Sequence, residues 1–486
     1  MLHEVHIALK GIASPGVRHL FKTLLMILCL ALFGMTMRTS AFALGSGIGY
    51  ATEDVFFENE GTVVHGTLLL PEGLAEAGGS APGVVLIGGA GPRLRDAYLA
   101  EAEAFAQAGV VVLVYDKRTE GYSLTERSFD QLGRDALAGV ELLRQREEVN
   151  PDMVGLWGHS EGGWVVPIAA ASSQDVAFAI TVGASALSPA QAQSWSSCRY
   201  LVHGGFDEGM CAPLASGLTA LMVEGGIFPE AGFDPVAYLR ALDIPVLVLL
   251  AEHDRSTVPA RTADILADAL RDNPRASVRV IPAATHNFDS SEDGFTSVRD
   301  DHAPGYLQSF TDWVLGLENG TAVASLDTNL PPDASGGDLR QLAWWESLWA
   351  QLTAVMLILL LLLAYPATGL VRRIMGRNQR PLAPVPARLI VLFGLPAVLG
   401  TFGVVMTIMV TSARVSLGPE MLGRPLIWLL LQIATWAVVA ATVWGFATAW
   451  QRRETASKSE WLRTGLVLLA GVLFVPLGLF WHLLSA

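Results

Sequence analysis

Only three of the 486 residues are cysteine. That is too few for a disulfide-built scaffold, and their spacing fits no metal-binding pattern, so no metal site is expected. Charge is also sparse, at 16% of residues, against about a quarter in ordinary soluble domains. Lysine and arginine number 32 against 46 aspartates and glutamates, a net charge of -14. This argues against nucleic acid as a partner, because a phosphate-binding surface needs an excess of basic side chains. Apolar residues fill the gap: 51% of the chain is hydrophobic and the mean hydropathy is +0.42.

The apolar residues gather at both ends. Lys10, Arg18 and Lys22 precede "TLLMILCLALFGM", and "AFA" follows at 41–43. A basic region, a short apolar core and an A-x-A site read as a signal peptide over 1–43, cleaved after Ala43; an uncleaved N-terminal anchor is the alternative. Cys29 lies within the apolar run, but the "MIL" before it lacks the small residue of a lipidation site. Residues 343–486 hold four stretches long enough to cross a bilayer, about 347–370, 388–411, 425–450 and 462–484. None carries a charge in its middle. Trp344, Trp345, Trp349, Trp450, Trp461 and Trp481 mark their ends as an interfacial belt would. Membrane lipids are therefore expected partners.

Between the ends, 44–318 alternates short β-branched runs with helical stretches. "GVVLIGG", "GVVVLVYD", "MVGLWG", "VAFAITVGA", "PVLVLLAE" and "ASVRVIPA" are continuous apolar strands, which predicts an α/β fold with a mostly parallel, doubly wound sheet. "DVFFENEGTVVHGTLLLPEG" predicts a leading hairpin. Residues 186–243 fall between two strands and read as a lid, with Trp164 and Trp195 as candidate pocket walls, plain packing being the favoured alternative for each. Residues 319–342 are polar and rich in Gly, Pro, Asp and Ser, and read as a linker.

"GHSEGG" (158–163) ends one strand and opens a helix. A lone G-x-S-x-G is a weak signal; the strand–turn–helix context is what gives it meaning. Gly158 and Gly162 would let the backbone pass closely while Ser160 is thrust outward. A serine hydroxyl needs a base to take its proton and an acid to orient that base. Asp254 follows the strand "PVLVLLAE", and His286 follows "ASVRVIPA", so both fall at strand ends in the order serine, aspartate, histidine. His302 is the runner-up base. The oxyanion donors expected are the backbone N–H groups of Glu161 and Ala90, the latter in "GGAGPRLRD".

Residues 53–317 resemble serine α/β-hydrolases of the esterase and dienelactone-hydrolase-like branch, on "GGAGPRLRD", "YDKRTEGYS", "GHSEGG", "PVLVLLAEHD" and "THNF". The resemblance implies Ser160 as nucleophile, Asp254 and His286 as acid and base, and the loop of Asp116, Lys117, Arg118, Gly121 and Ser123 as support for the site. Ala90 stands where relatives carry serine, and Thr119 where they carry glycine.

The expected function is a membrane-anchored serine hydrolase cleaving small-molecule or lipid esters through an acyl-enzyme, with no cofactor. A peptidase, a thioesterase or acyltransferase, and a catalytically silent membrane sensor are the alternatives. Arg372, Arg373, Arg377, Arg380 and Arg388 follow the first span, and Arg452, Arg453, Lys458 and Arg463 follow the third. The loop between holds only Arg414 and Arg424, with Glu420. The positive-inside bias predicts a multi-pass protein of a bacterial inner membrane with the 44–318 domain on the periplasmic or extracellular face. In that compartment Cys198 and Cys211 become a candidate disulfide; two free thiols are the alternative.

Overall fold

A computed structural model describes residues 49–74, 79–296, 302–334, 336–376, 382–454 and 456–485. The expected signal or anchor segment, 1–43, lies outside the described residues. Tyr50–Asn59 (β1) and Thr62–Pro71 (β2) form an antiparallel hairpin. Ala81–Ile87 (β3), Leu99–Gln107 (α1), Val111–Tyr115 (β4), Phe129–Arg144 (α2), Val149–His159 (β5), Glu161–Ser172 (α3) and Ala179–Val182 (β6) follow. Two helices, Pro189–His203 (α4) and Glu208–Glu224 (α5), and the short Pro235–Arg240 (α6) then lead to Val246–Ala251 (β7). Pro259–Ala269 (α7), Ala276–Ile281 (β8), Tyr306–Glu318 (α8) and Ser325–Leu326 (β9) complete this part.

The strands form one sheet in the order β1-β2-β4-β3-β5-β6-β7-β8-β9. β1, β2 and β4 pair antiparallel, and every other pair is parallel. β3, β4 and β7 are buried along their whole length. A strand covered on both faces is apolar at every position rather than at alternate ones, which is why these runs are continuous in the sequence. One apolar core packs α2, α3 and α7 against the sheet, and a second packs α1 and α8. The chain winds from β3 first to β4 on one side and then to β5 on the other. That reversal sets the carboxyl ends of β3 and β5 side by side, the customary ligand position in open α/β sheets.

Leu348–Ile374 (α9), Pro384–Thr411 (α10), Leu426–Gln451 (α11) and Lys458–Phe480 (α12) are each 23 to 28 residues long with mean hydropathy 2.0 to 2.4. All four are long and apolar enough to cross a membrane. Their bounds differ by up to four residues from the apolar stretches: α9, α10 and α12 carry on into a polar flank, while α12 ends four residues before its apolar stretch does.

Two expectations change. Residues 319–342 are not a plain linker: Ser325–Leu326 adds a ninth strand beside β8, and the rest is strapped to the lid region. There the Trp195 indole donates to the Ala334 carbonyl at 2.9 Å, and the Ser216 hydroxyl donates to the Asp338 carbonyl at 3.0 Å. The segment expected as a lid, 186–243, is in turn a packed layer. α4 and α5 share an apolar core with α9 to α12 through Leu201, Phe206, Met210 and Leu221. Phe206 meets Trp428 edge-on at 5.5 Å. The loop between α10 and α11 returns to the same side: Asp207 N–H donates to the Gly423 carbonyl, and the Arg414 guanidinium reaches the Ser256 hydroxyl at 3.3 Å.

Candidate active site

β5 runs into α3 through a turn in which Ser160 has φ 55° and ψ -113°. A positive φ on a non-glycine residue is strained and needs the surroundings to hold it. The glycines make this turn possible: a Cβ on Gly158 would collide with the Gly162 carbonyl, and one on Gly162 with the Ile87 carbonyl. Val258, Ala283 and Phe288 also have positive φ, so strained backbone flanks Asp254 and His286 as well.

Ser160 Oγ lies 2.9 Å from His286 Nε2, and His286 Nδ1 lies 2.8 Å from Asp254 Oδ2. The Asp254 carboxylate is fully buried and also accepts from the Ser256 and Thr257 N–H groups and the Thr257 hydroxyl. Burial alone would raise its pKa, but His286 and these donors hold it below the ordinary carboxylate value. Asp254 is therefore an anion that fixes the His286 tautomer, with Nδ1–H towards the carboxylate and Nε2 free to accept the Ser160 proton. The His302 backbone instead pairs with that of Asp289 and its ring packs on Tyr306; His286, and not His302, meets Ser160.

The loop after β3 lies beside the serine: a Cβ on Gly89 would come within 3.3 Å of Ser160 Cβ. Gly89 N–H donates to the Tyr98 hydroxyl at 2.6 Å and Gly91 N–H to the Tyr122 hydroxyl at 2.9 Å. Between them, Ala90 N–H has no acceptor among the described residues, and neither has Glu161 N–H. Both of the N–H groups expected as oxyanion donors are thus left unengaged, at the end of β3 and at the start of α3.

Sequence reasoning valued Glu161 for its backbone and missed its side chain. The carboxylate is buried and ion-paired to Lys117 at 2.8 Å and to Arg127, and it accepts from the Tyr122 hydroxyl at 2.6 Å. Burial pushes its pKa up, but Lys117 and Arg127 win and hold it below the ordinary value. Lys117 Nζ also donates to the Gly89 carbonyl. The "YDKR" loop thus ties the two donor-bearing segments together. The sequence signal was a lone acidic residue beside the serine with basic residues in a neighbouring loop; nothing local pairs them.

His159 was missed too. Its Nε2–H donates to the His286 carbonyl at 2.9 Å, while Nδ1 lies 3.2 Å from the Tyr98 hydroxyl. That hydroxyl accepts from Gly89 N–H, so it donates to Nδ1. Burial, assisted by the nearby His286, pushes the His159 pKa down to about 3. Trp195 and Trp164 are packed, in line with the favoured alternative for both. Trp195 is buried against Leu187 and Val258, and Trp164 donates to the Ser185 carbonyl beside Phe129. Cys198 and Cys211 are joined in a disulfide linking α4 to α5. Among the described residues no group of histidine, cysteine and acidic side chains could hold a metal.

No family model matches the chain, and no curated protein matches it. Solved structures similar to it include an esterase of Pyrococcus furiosus, at 15% identity over 60% of this chain and 99% of that one, TM-score 0.40. Est1E from Butyrivibrio proteoclasticus is similar at 17% identity over 55% and 98%, TM-score 0.39. 2,6-Dihydroxy-pseudo-oxynicotine hydrolase is similar at 17% over 56% and 70%, TM-score 0.40. These likenesses are distant, and the fold is carried instead by the molecule's own features. On its strand order, its strained serine turn and the sequence of Ser160, Asp254 and His286 along the chain, the part from β1 to β9 has the α/β-hydrolase fold.

Proposed function

We propose that the chain is a membrane-anchored serine hydrolase that cleaves carboxylic esters through an acyl-enzyme. The observation that carries this reading is the continuous relay from Ser160 Oγ through His286 to buried Asp254, at 2.9 and 2.8 Å. Ser160 Oγ attacks the ester carbonyl as His286 Nε2 takes its proton. The oxygen turned negative is met by the Ala90 and Glu161 N–H groups. His286 then returns the proton to the departing alcohol oxygen as the carbon–oxygen bond breaks. A water, deprotonated by the same Nε2, attacks the acyl carbon and releases the acid. Lys117, Arg127 and Tyr122 act at one remove, by holding the two donor-bearing segments in register.

On this reading the catalytic domain lies on the non-cytoplasmic side. It shares its end of the helices with the 412–425 loop and the C-terminus, since Arg414 reaches Ser256 and Arg340 lies over Phe480. Arg372 and Arg373 in the last turn of α9, and Arg452 and Arg453 just past α11, lie at the opposite end, and segments rich in arginine stay in the cytoplasm. A disulfide between Cys198 and Cys211 suits an oxidising compartment. The test is labelling of the full-length protein with a fluorophosphonate probe, alongside turnover of p-nitrophenyl esters and aminoacyl amides. Wild type should be labelled and should turn over esters; Ser160→Ala should lose the label and about 10⁴-fold or more in kcat. Labelling that survives in Ser160→Ala refutes the assignment. Amide turnover above ester turnover refutes the substrate class.

A further inference from the structure

Tyr98 closes the short turn Arg95–Tyr98 that leads into α1, and His159 is the last residue of β5, next to Ser160. Both side chains are buried, and neither hydrogen-bonds to Ser160 Oγ or to the His286 ring. Tyr98, His159 and Ser160 nevertheless converge on Gly89. A Cβ there would lie 3.2 Å from the Tyr98 hydroxyl and 3.3 Å from both His159 Nδ1 and Ser160 Cβ. The bonds through these residues run in one direction. Gly89 N–H can only donate, so the Tyr98 oxygen accepts it, and the phenol's single proton goes to His159 Nδ1. The neutral imidazole then carries its own proton on Nε2 and donates it to the His286 carbonyl. One chain of hydrogen bonds thus joins the loop after β3 to the main chain of the base, by way of the residue before the nucleophile.

Gly89 also precedes Ala90, whose N–H is an oxyanion donor in the proposed reaction. A glycine has no side chain to restrict its two dihedrals, so a free Gly89 would let that N–H swing. Here Gly89 is held on both sides: Tyr98 takes its N–H, and Lys117 donates to its carbonyl. That carbonyl shares one planar trans peptide with Ala90 N–H, so fixing the first aims the second the opposite way. At the far end of the chain, the His286 carbonyl accepts from His159 and lies against Gly183, where a Cβ would come within 3.3 Å of it. An oxyanion donor works only within about 2.7–3.1 Å of the charge, and a misplacement of about 1 Å can cost about 10²-fold in rate. The reaction therefore depends on the separation of donor and base, and this chain spans it.

We infer that Tyr98 and His159 are positioning residues that hold the Ala90 donor and the base His286 in register across Ser160. The inference rests on the serine-hydrolase reading above. The test uses the full-length protein with p-nitrophenyl butyrate. Here kcat is counted per site titrated by the fluorophosphonate, so that unfolded chains are not read as slow enzyme. Tyr98→Phe keeps the ring edge-on to Trp157 and removes both hydroxyl bonds. It should lower kcat about tenfold to 10²-fold. KM should stay within about twofold, because the donors act in the transition states of acylation and deacylation alike. His159→Gln keeps a donor to the His286 carbonyl and loses the acceptor of the Tyr98 proton; kcat should fall about tenfold. Both changes break one chain, so the double variant should match Tyr98→Phe within about twofold. Separate packing roles would instead multiply the two losses. If Tyr98→Phe fails to fold, His159→Gln decides by the same split of kcat from KM. Unchanged kcat in a folded variant, or multiplied losses in the double variant, overturns this inference and leaves serine hydrolysis standing. A wild type that is neither labelled nor active overturns both.

Discussion

Burial of His159 makes the folded protein acid-sensitive above the range in which Asp254 and Glu161 lose their contribution. The His159 pKa falls from 6.5 to about 3 because the ring is buried and faces His286. The unfolded chain therefore binds a proton below about pH 6.5 that the folded protein refuses until about pH 3. Stability rises with pH wherever the unfolded state binds more protons, so it falls on acidification through this range. At about 1.4 kcal/mol per pH unit, the loss at pH 5 relative to pH 7.5 is about 2 kcal/mol. Asp254 and Glu161 are held below their ordinary values. Their contributions stay intact above the unfolded carboxylate values, near pH 4, and are lost only at lower pH. His482, also held low by burial, acts with the same sign, and Glu101 and Asp135, raised by burial, act with the opposite sign, so it is the difference between wild type and His159→Gln that isolates His159. Geometry gives the same sign: a second ring proton would leave Nδ1 unable to accept from Tyr98, whose hydroxyl also receives Gly89 N–H. His159→Gln removes the titration and keeps an amide able to donate to the His286 carbonyl. Scanning fluorimetry of the purified protein should show the wild-type melting temperature about 3–4 °C lower at pH 5 than at pH 7.5. The variant should show less than half that difference. An unchanged difference in His159→Gln refutes the reasoning.

Arg127→Met strips one of the two cations from buried Glu161 and should destabilise by about 3 kcal/mol, read as a lower denaturation midpoint; no change would mean that Lys117 suffices. Mass spectrometry of unreduced protein, with free thiols alkylated, should find Cys198 and Cys211 linked. Reduction should cost about 3 kcal/mol of stability in the chain-entropy model, and two alkylated cysteines would refute the bridge. Alkaline phosphatase fusions at residue 330 and at the C-terminus should be active, and a green fluorescent protein fusion near residue 376 should fluoresce; fluorescence at residue 330 would invert the topology.

The parts legible in the sequence were those written locally. Continuous apolar runs such as "GVVLI" and "PVLVLLA" announce strands buried on both faces, because burial acts on each residue through its own side chain. Ser160, Asp254 and His286 were readable because each follows such a strand, and a parallel sheet gathers strand ends at one edge whatever the intervening length. The membrane-length helices were readable because hydrocarbon demands about 20 apolar residues in a row. What only the tertiary structure decided are the contacts between residues far apart in the chain. Glu161 meets Arg127 and Lys117 from another loop, and no local pattern encodes the charge that a buried carboxylate will find. Ser325–Leu326 lacks the apolar run of a core strand because it sits exposed at the sheet's edge. The lid helices mix polar and apolar residues because they face two partners at once, the sheet domain on one side and the membrane-length helices on the other. Which residue faces which partner is set by packing, and packing is a property of the assembled chain.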